Sequence, residues 1–340
     1  PLEPMNATAH VTPTETHVWV GSQWPDAIVP MATKITGHSS EKINVHIPLL
    51  GGGFGRRSAP DAAVEVIELA NILKTPVQII WDRADDLRNG YYHPASIHGM
   101  SAVVDFGRQE AYQYKHKVST PSILRSSNPK SPDQAVIGTE LLGARDLPYG
   151  INGIEISYHE LPIHIPLWWW RAIQFVPNIY ARECFIDELA HAAGRDPLEM
   201  RLELLGTRDE MPAGSGGGGK GKQNAGYNVA RMRNVLKFTA EKAGWGKKFP
   251  KGSGAGIAFH FSDSGYFAQV AEVTVSKDGQ LWVDRFVTGG DIGEQIVNLS
   301  GAENQVEGSV IDGLGVLMTQ ELNIDRGRVV QSNFHDYPLI

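Results

Sequence analysis

A chain of 340 residues with 31 Lys+Arg against 38 Asp+Glu carries a formal charge of −7, which excludes the basic face that a nucleic-acid partner calls for. Hydrophobic residues at 41% and charged residues at 20% describe a globular protein long enough for about two domains, each with its own core, and no apolar run reaches the roughly 20 residues of a membrane span. A single cysteine, Cys184, excludes an internal disulfide and a cysteine-rich metal site, and its apolar helical surroundings read as buried packing.

Thr16 to Val20 alternates as a strand and runs into the turn Gly21-Ser22-Gln23-Trp24-Pro25, after which residues 27–35 read as a short helix. A β-branched, partly alternating run at 45–50 then ends in Gly51-Gly52-Gly53-Phe54-Gly55-Arg56-Arg57, and a helical pattern starts near Ala59-Pro60-Asp61 and continues to Lys74. Strand, bare backbone and helix in that order suit an anion. Glycines let amide N–H groups face a ligand, the helix start adds unsatisfied N–H groups, and two arginines add fork-shaped donors for a phosphate. The loop has neither the Gly-Lys-Ser/Thr ending of a phosphate loop nor the spacing of the dinucleotide fingerprint, so a tight turn with solvated arginines stands beside the anion cradle. Residues 76–81 are a buried strand. Residues 43–81 therefore read as a strand–helix–strand unit of the kind that builds parallel pairing, with the loop at the strand end where such units bind ligands.

Residues 91–120 alternate as an antiparallel hairpin around Asp105-Phe106-Gly107-Arg108. Tyr91, Tyr92, His93 and His98 lie near its start, but no zinc-ligand spacing occurs and no protein-ligated metal centre is expected. The Ser-, Pro-, Gly- and Asp-rich residues 121–150 read as a long surface excursion. A strand at 154–158 leads to Trp168-Trp169-Trp170-Arg171, where three tryptophans line an apolar wall or a subunit contact, or else pack in the core. Residues 178–193 form an amphipathic helix stopped by Gly194, and Asp196-Pro197 opens a second helix through Arg201 to Leu205. The low-complexity Gly/Ser/Lys residues 214–222 are a linker between a first part, 1–213, and a second, 223–340. That second part opens with a helix over Val229 to Ala243, followed by strands at 256–261, 267–275 and 281–287 and a helix at 300–319 that carries Gln305.

Gly51-Gly52-Gly53-Phe54-Gly55-Arg56-Arg57, preceded by Leu2-Glu3-Pro4-Met5-Asn6-Ala7-Thr8-Ala9, resembles the large-subunit signature of the molybdenum hydroxylases, the xanthine oxidase and aldehyde oxidase family. Phe185-Ile186-Asp187-Glu188-Leu189-Ala190 with Gly194-Arg195-Asp196-Pro197 and Arg201, then Gln305-Val306-Glu307-Gly308 and the residues from Arg328 to Tyr337, extend the likeness along nearly the whole chain. The Arg-Arg ending and the Pro-Met-Asn-Ala-Thr-Ala opening are similar to its bacterial branch, that of isoquinoline 1-oxidoreductase β subunits and periplasmic aldehyde dehydrogenases. The resemblance implies an α/β fold of two molybdopterin-binding domains with mixed sheets and flanking helices. Its second domain is C-terminally incomplete here, because the family's general base, a glutamate in a Gly-Glu-Pro stretch, does not occur.

The resemblance further implies molybdenum on molybdopterin cytosine dinucleotide, with no protein ligand on the metal, held by Gly51, Gly52, Gly53, Phe54, Gly55, Arg56, Arg57, Arg201 and Gln305. Gln23 is expected to hydrogen-bond the oxo group and Arg171 to lie beside the substrate, although Ala172-Ile173-Gln174 replaces the usual small and glycine residues after that arginine. Ser58 stands where xanthine-type enzymes carry a substrate-orienting glutamate, which points to an aldehyde or a simple heterocycle, oxidised with water as the oxygen source. The family's iron–sulfur clusters need about eight thiolates, so a small partner subunit with two [2Fe–2S] centres is implied. A cytochrome c acceptor is expected beyond it, in the bacterial periplasm, free or held at a membrane by a partner, with the cytoplasm as the alternative. Read without the resemblance, Gln23 is a turn residue and Arg201 part of a helix-surface ion pair. The chain is then a phosphate- or nucleotide-binding module, or an assembly subunit that keeps the fold without the chemistry.

Overall fold

The computed structural model describes residues 1–105, 110–211 and 227–340. In its first part, β1 (Asn6–Val11) and β2 (Thr16–Val20) form a hairpin, α1 (Ile28–Thr36) follows, β3 (Ile43–His46) pairs parallel with β2, and α2 (Asp61–Leu73) returns to β4 (Val77–Ile80), antiparallel to β1. The strand order is β3-β2-β1-β4. Alternate residues Ala7, Ala9, Val18 and Val20 turn one sheet face toward Ala62, Ala63, Val66, Ile67 and Ala70 of α2, and all of these are buried together. Residues 43–81 do make strand, loop, helix and strand, but β3 and β4 are not neighbours. The N-terminal hairpin occupies the middle of the sheet and separates them.

After α3 (Arg83–Asn89), which starts in a capping box built by Asp82 and Asp85, β5 (Ile97–Asp105) and β6 (Glu110–Thr120) pair antiparallel, and the expected turn at 106–108 lies outside the described residues. The chain then forms α4 (Ile123–Ser127), α5 (Asp133–Glu140) and β7 (Asn152–Glu160), which lies parallel to β6. A parallel neighbour requires a crossover, and the crossover has to pack. Residues 121–150 are accordingly no surface excursion: Ile123, Val136, Leu141, Leu142, Ala144, Leu147 and Tyr149 are all buried.

The remaining elements are α6 (Phe175–Ala192), α7 (Pro197–Leu205), a short β8 (Glu210–Met211) paired with β9 (Tyr227–Asn228), α8 (Val229–Ala243), and the antiparallel sheet β10 (Ser253–Ser262), β11 (Gly265–Val275), β12 (Leu281–Asp291). They end with α9 (Leu299–Met318) and the hairpin β13 (Ile324–Asp325), β14 (Arg328–Val329), a mixed α/β architecture. The linker read at 214–222 lies outside the described residues. Residues on both sides of it, among them Tyr114, Ile186, Met200, Val235, Phe259 and Val270, share one core, so the packing does not divide there.

Two expectations for α6 and α7 change with the packing. Cys184 is exposed, because the face of α6 that turns inward carries Asn178, Arg182, Glu183, Ile186, Leu189 and Ala190 instead. Arg201 is fully buried and donates to Glu183 Oε2 (2.9 Å), Asp187 Oδ1 (2.6 Å) and the carbonyls of Pro197 and Glu183. Tyr149 and Arg182 add donors to the same Glu183 carboxylate, which the two arginines hold charged against its burial. Among the described residues no helix is long and apolar enough to cross a membrane.

Candidate cofactor site

The glycine loop is suspended from the side chains around it. Glu3 accepts the N–H of Gly51 and a bond from the Asn6 amide (2.8 Å), and these two donors hold its carboxyl below the ordinary range. Arg57 is buried and donates to the carbonyls of Gly52 (3.0 Å), Gly21 (3.4 Å), Glu3 (3.1 Å) and Pro4 (3.2 Å), with the Glu3 carboxylate 3.2 Å away. Arg56 makes a two-pronged pair with Asp61 (2.9 and 2.7 Å) and lies over the rings of Trp81 and Tyr91. Both guanidinium groups therefore frame the loop from behind, and the expectation that they present free forks to a phosphate is corrected. Arg201 is likewise engaged by Glu183 and Asp187 and is not brought to the loop.

What the loop offers is backbone. The amides of Gly52, Gly53 and Phe54 donate to no acceptor among the described residues, while those of Gly51, Gly55 and Arg56 are bonded. Gly53 is buried, and an N–H without a partner there calls for an acceptor from outside the chain. A Cβ at Gly53 would strike the Gln23 amide, and one at Gly55, where φ is +89°, would lie 2.5 Å from the Trp169 carbonyl oxygen. The cradle is open only because these positions lack side chains. Its residues fit a group that presents anionic oxygen or carbonyl acceptors close to the main chain.

Three further segments meet the loop. Gln23 lies across it: its Oε1 accepts the Gly55 N–H (2.9 Å), its own N–H donates to the Arg57 carbonyl (2.9 Å), and its Nε2 has no protein acceptor among the described residues. The Arg171 N–H donates to the Phe54 carbonyl (3.1 Å), and the Trp168 indole donates to Ser58 Oγ (2.9 Å). From α9, Gln305 accepts Arg171 Nη2 on its backbone oxygen (3.1 Å), and Asp312 lies 3.5 Å from Arg171 Nη1. Gln23, Trp24, Gly55, Ser58 and residues 169–173 line a cleft of ≈ 480 Å³. A larger hollow of ≈ 840 Å³ against α5 and β7 is lined by none of the candidate residues.

The structure thus brings together Gly51 to Gly55, Gln23, Arg171 and Gln305, and puts Arg56 and Arg57 behind them. Sequence reasoning missed Asp312, which a spacing of two helical turns from Gln305 puts on the same face of α9. It also missed His93, whose ring meets Trp170 edge-on and whose Nε2 lies 3.2 Å from the Ile173 carbonyl oxygen. Burial lowers the His93 pKa, and because a carbonyl can only accept, Nε2 is the donor in this contact. No local pattern announces that contact, because 80 residues separate the two.

Residues 1–205 and 224–340 each match the family model described as molybdopterin cofactor-binding domain. The chain is 27% identical to the isoquinoline 1-oxidoreductase subunit beta of Brevundimonas diminuta, covering 100% of this chain and 42% of that protein. It is 26% identical to the membrane-bound aldehyde dehydrogenase [pyrroloquinoline-quinone] of Gluconacetobacter polyoxogenes, covering 99% of this chain and 44% of that one. The chain therefore spans less than half the length of these curated relatives. In fold it is similar to the crystal structure of quinoline 2-oxidoreductase from Pseudomonas putida 86, with a TM-score of 0.78 at 13% identity over 100% of this chain and 66% of that one. With a cradle built from bare backbone and a family match over most of its residues, the chain belongs to the molybdopterin cofactor-binding domain family of the molybdenum hydroxylase large subunits.

Proposed function

We propose that the cradle of Gly51 to Gly55, with Gln23 and Gln305, holds a molybdenum–molybdopterin group beside which Arg171 meets the substrate, and that the protein oxidises an aldehyde to its acid or hydroxylates an N-heteroaromatic carbon with oxygen from water. The observation that carries this reading is the set of three neighbouring amides, Gly52, Gly53 and Phe54, without acceptors in a loop that a single Cβ would close. A bound molybdopterin supplies the two-electron oxidation. The chain supplies position: amides for the cofactor's oxygens, Gln23 Nε2 as a donor toward an oxo group, and an open cleft with an apolar wall of Trp24, Trp169, Trp170 and Ile173 for the substrate.

Ser58 narrows the substrate. Its hydroxyl donates to the Gly55 carbonyl (2.6 Å) and accepts from Trp168, so it offers neither charge nor a spare donor. A neutral, largely apolar aldehyde or heterocycle suits that wall better than a purine. Arg171 is the cation nearest the cleft and is steadied by Asp312.

The cytosine dinucleotide form, a small partner with two [2Fe–2S] centres, a cytochrome c acceptor and a periplasmic location belong to the same proposal. A relative named as a subunit beta supports partner subunits, and one cysteine cannot anchor a cluster. Native purification followed by metal analysis and acid release of the nucleotide tests the reading: molybdenum with a cytidine nucleotide supports it. Protein that carries phosphate or nucleotide and no molybdenum would instead fit a binding module, and protein that carries none of these would fit an assembly subunit.

A further inference from the structure

One rim of the cleft is held in a conformation its own residues disfavour. Ala172 and Ile173 are consecutive left-handed residues, with φ of +61° and +50°, and a β-branched side chain is among the least tolerant of that region. Such a turn persists only where its surroundings over-determine it. Here the Arg171 N–H is bonded to Phe54, the Ile173 N–H to the Trp170 carbonyl (2.7 Å), the Ile173 carbonyl to His93, and the Phe175 N–H to the Ala172 carbonyl (3.1 Å).

Beneath the turn lies a fastening from another part of the chain. Gln174 is buried and donates its Nε2 to Glu140, the last residue of α5, which is itself fully buried. The other Glu140 oxygen accepts the Ile123 N–H (3.0 Å), and Asn178, one helical turn beyond Gln174, donates to the Glu140 and Leu142 carbonyls (2.9 and 2.8 Å). Among the described residues no arginine or lysine bonds the Glu140 carboxyl. Its partners are neutral: the Ile123 N–H, the Gln174 amide and the Ser122 hydroxyl. Burial pushes the Glu140 carboxyl up to about 7, and a glutamine meets both its forms by turning its amide over.

We propose that Glu140 is a positioning residue for the substrate face of the cleft: through Gln174 it fixes the Ala172–Ile173 turn, and with it the aim of Arg171 and the apolar rim at Trp170 and Ile173. The inference rests on reading the cleft as the substrate site. It predicts a defect in substrate binding with the cofactor retained, because the side-chain bonds that suspend residues 51–57 run through Glu3, Gln23 and Arg57, and the segment next to the turn adds only the Arg171 N–H on the Phe54 carbonyl.

The test uses the natively purified holoenzyme with benzaldehyde as probe, in wild type, Gln174→Leu, Gln174→Glu and the exchanged pair Glu140→Gln/Gln174→Glu. Molybdenum per chain should equal wild type in all four. Gln174→Glu sets two acids face to face and should raise KM about tenfold with kcat changed by less than about threefold, a tenfold factor being 1.4 kcal/mol. Amide exchange in peptides covering residues 168–176 should quicken with it, and the exchanged pair should restore both readings to within about threefold of wild type. Gln174→Leu removes the bond without adding charge and carries the test if Gln174→Glu does not fold. An unchanged KM and unchanged exchange in the single variants, or an exchanged pair no better than Gln174→Glu, overturns the proposal. If wild-type enzyme holds no molybdenum or turns over no aldehyde, the reading of the cleft fails, and quickened amide exchange alone then leaves Glu140 as a purely structural fastening, which also overturns the positioning role.

Discussion

The Arg57 guanidinium is bonded to carbonyls of Glu3, Pro4, Gly21 and Gly52, so one side chain joins the N-terminal segment, the turn after β2 and the glycine loop. Arg57→Ala takes a donor from each of those carbonyls, of which Pro4 keeps the Asn6 amide, and the loss should be on the order of 3 kcal/mol, read as a lower urea midpoint. Gln23→Ala removes the Nε2 donor and the acceptor of the Gly55 N–H, and leaves the three free amides and the Glu3 and Arg57 bonds to the loop in place. It should keep its molybdenum while kcat falls on the order of 10²-fold, and loss of the metal or full activity would show the residue misassigned. The bare backbone of the loop was legible in its glycines, which leave a run of amides without side-chain cover. The role of the arginines was not, because the Arg57 carbonyl acceptors outside the loop lie 36, 53 and 54 residues away and no spacing rule reaches them. Arg201 failed for a related reason: a helix-surface pair and a buried one have the same sequence, and only the packing of α6 on α7 separates them.

Helices α2, α7, α8 and α9 and the hairpins were legible because each carries its own period and its own stop signals. Asp196 illustrates the strength of such a signal: its Oδ1 accepts the Leu198 and Glu199 N–H groups (2.8 and 3.1 Å), and the Trp245 indole adds a third donor to the same carboxylate. Asp196→Ala should cost about 1 kcal/mol or slightly more, measurable in urea, since the cap and the indole bond go together. The crossover between β6 and β7 was misread because its composition is that of a loop while its burial is imposed by parallel pairing. Strand β6 also carries a titration that only the fold creates. His116 is buried, bonded through Nε2 to His98 Nδ1 (2.9 Å), and burial pushes it down to about 4. Its folded pKa lies below the unfolded value, so the unfolded chain takes the proton first, and stability present above pH 6.5 is lost as the pH falls toward 4. Between pH 7 and pH 5 the wild type should therefore lose about 2 kcal/mol more than His116→Gln, and equal losses would contradict the neutral buried ring.

Across the whole molecule, the two family-matched stretches meet over the cleft. Arg171 bonds Gln305 and approaches Asp312 on α9, Arg88 donates to the Val330 carbonyl (3.0 Å), and Arg83 lies over the Phe334 ring. Among the described residues the loop at Gly52, Gly53 and Phe54 presents three neighbouring backbone donors without protein acceptors, and the account stands on that place being filled by the molybdenum cofactor. Gly53 is the position that decides it, because a side chain there meets the Gln23 amide in the middle of the cradle. The most direct measurement is molybdenum per chain, by elemental analysis, in natively purified wild type and Gly53→Val of equal folded content. The account predicts about one molybdenum per wild-type chain and near-complete loss in the variant. Molybdenum retained by Gly53→Val at the wild-type level, or absent from the wild type, would contradict it.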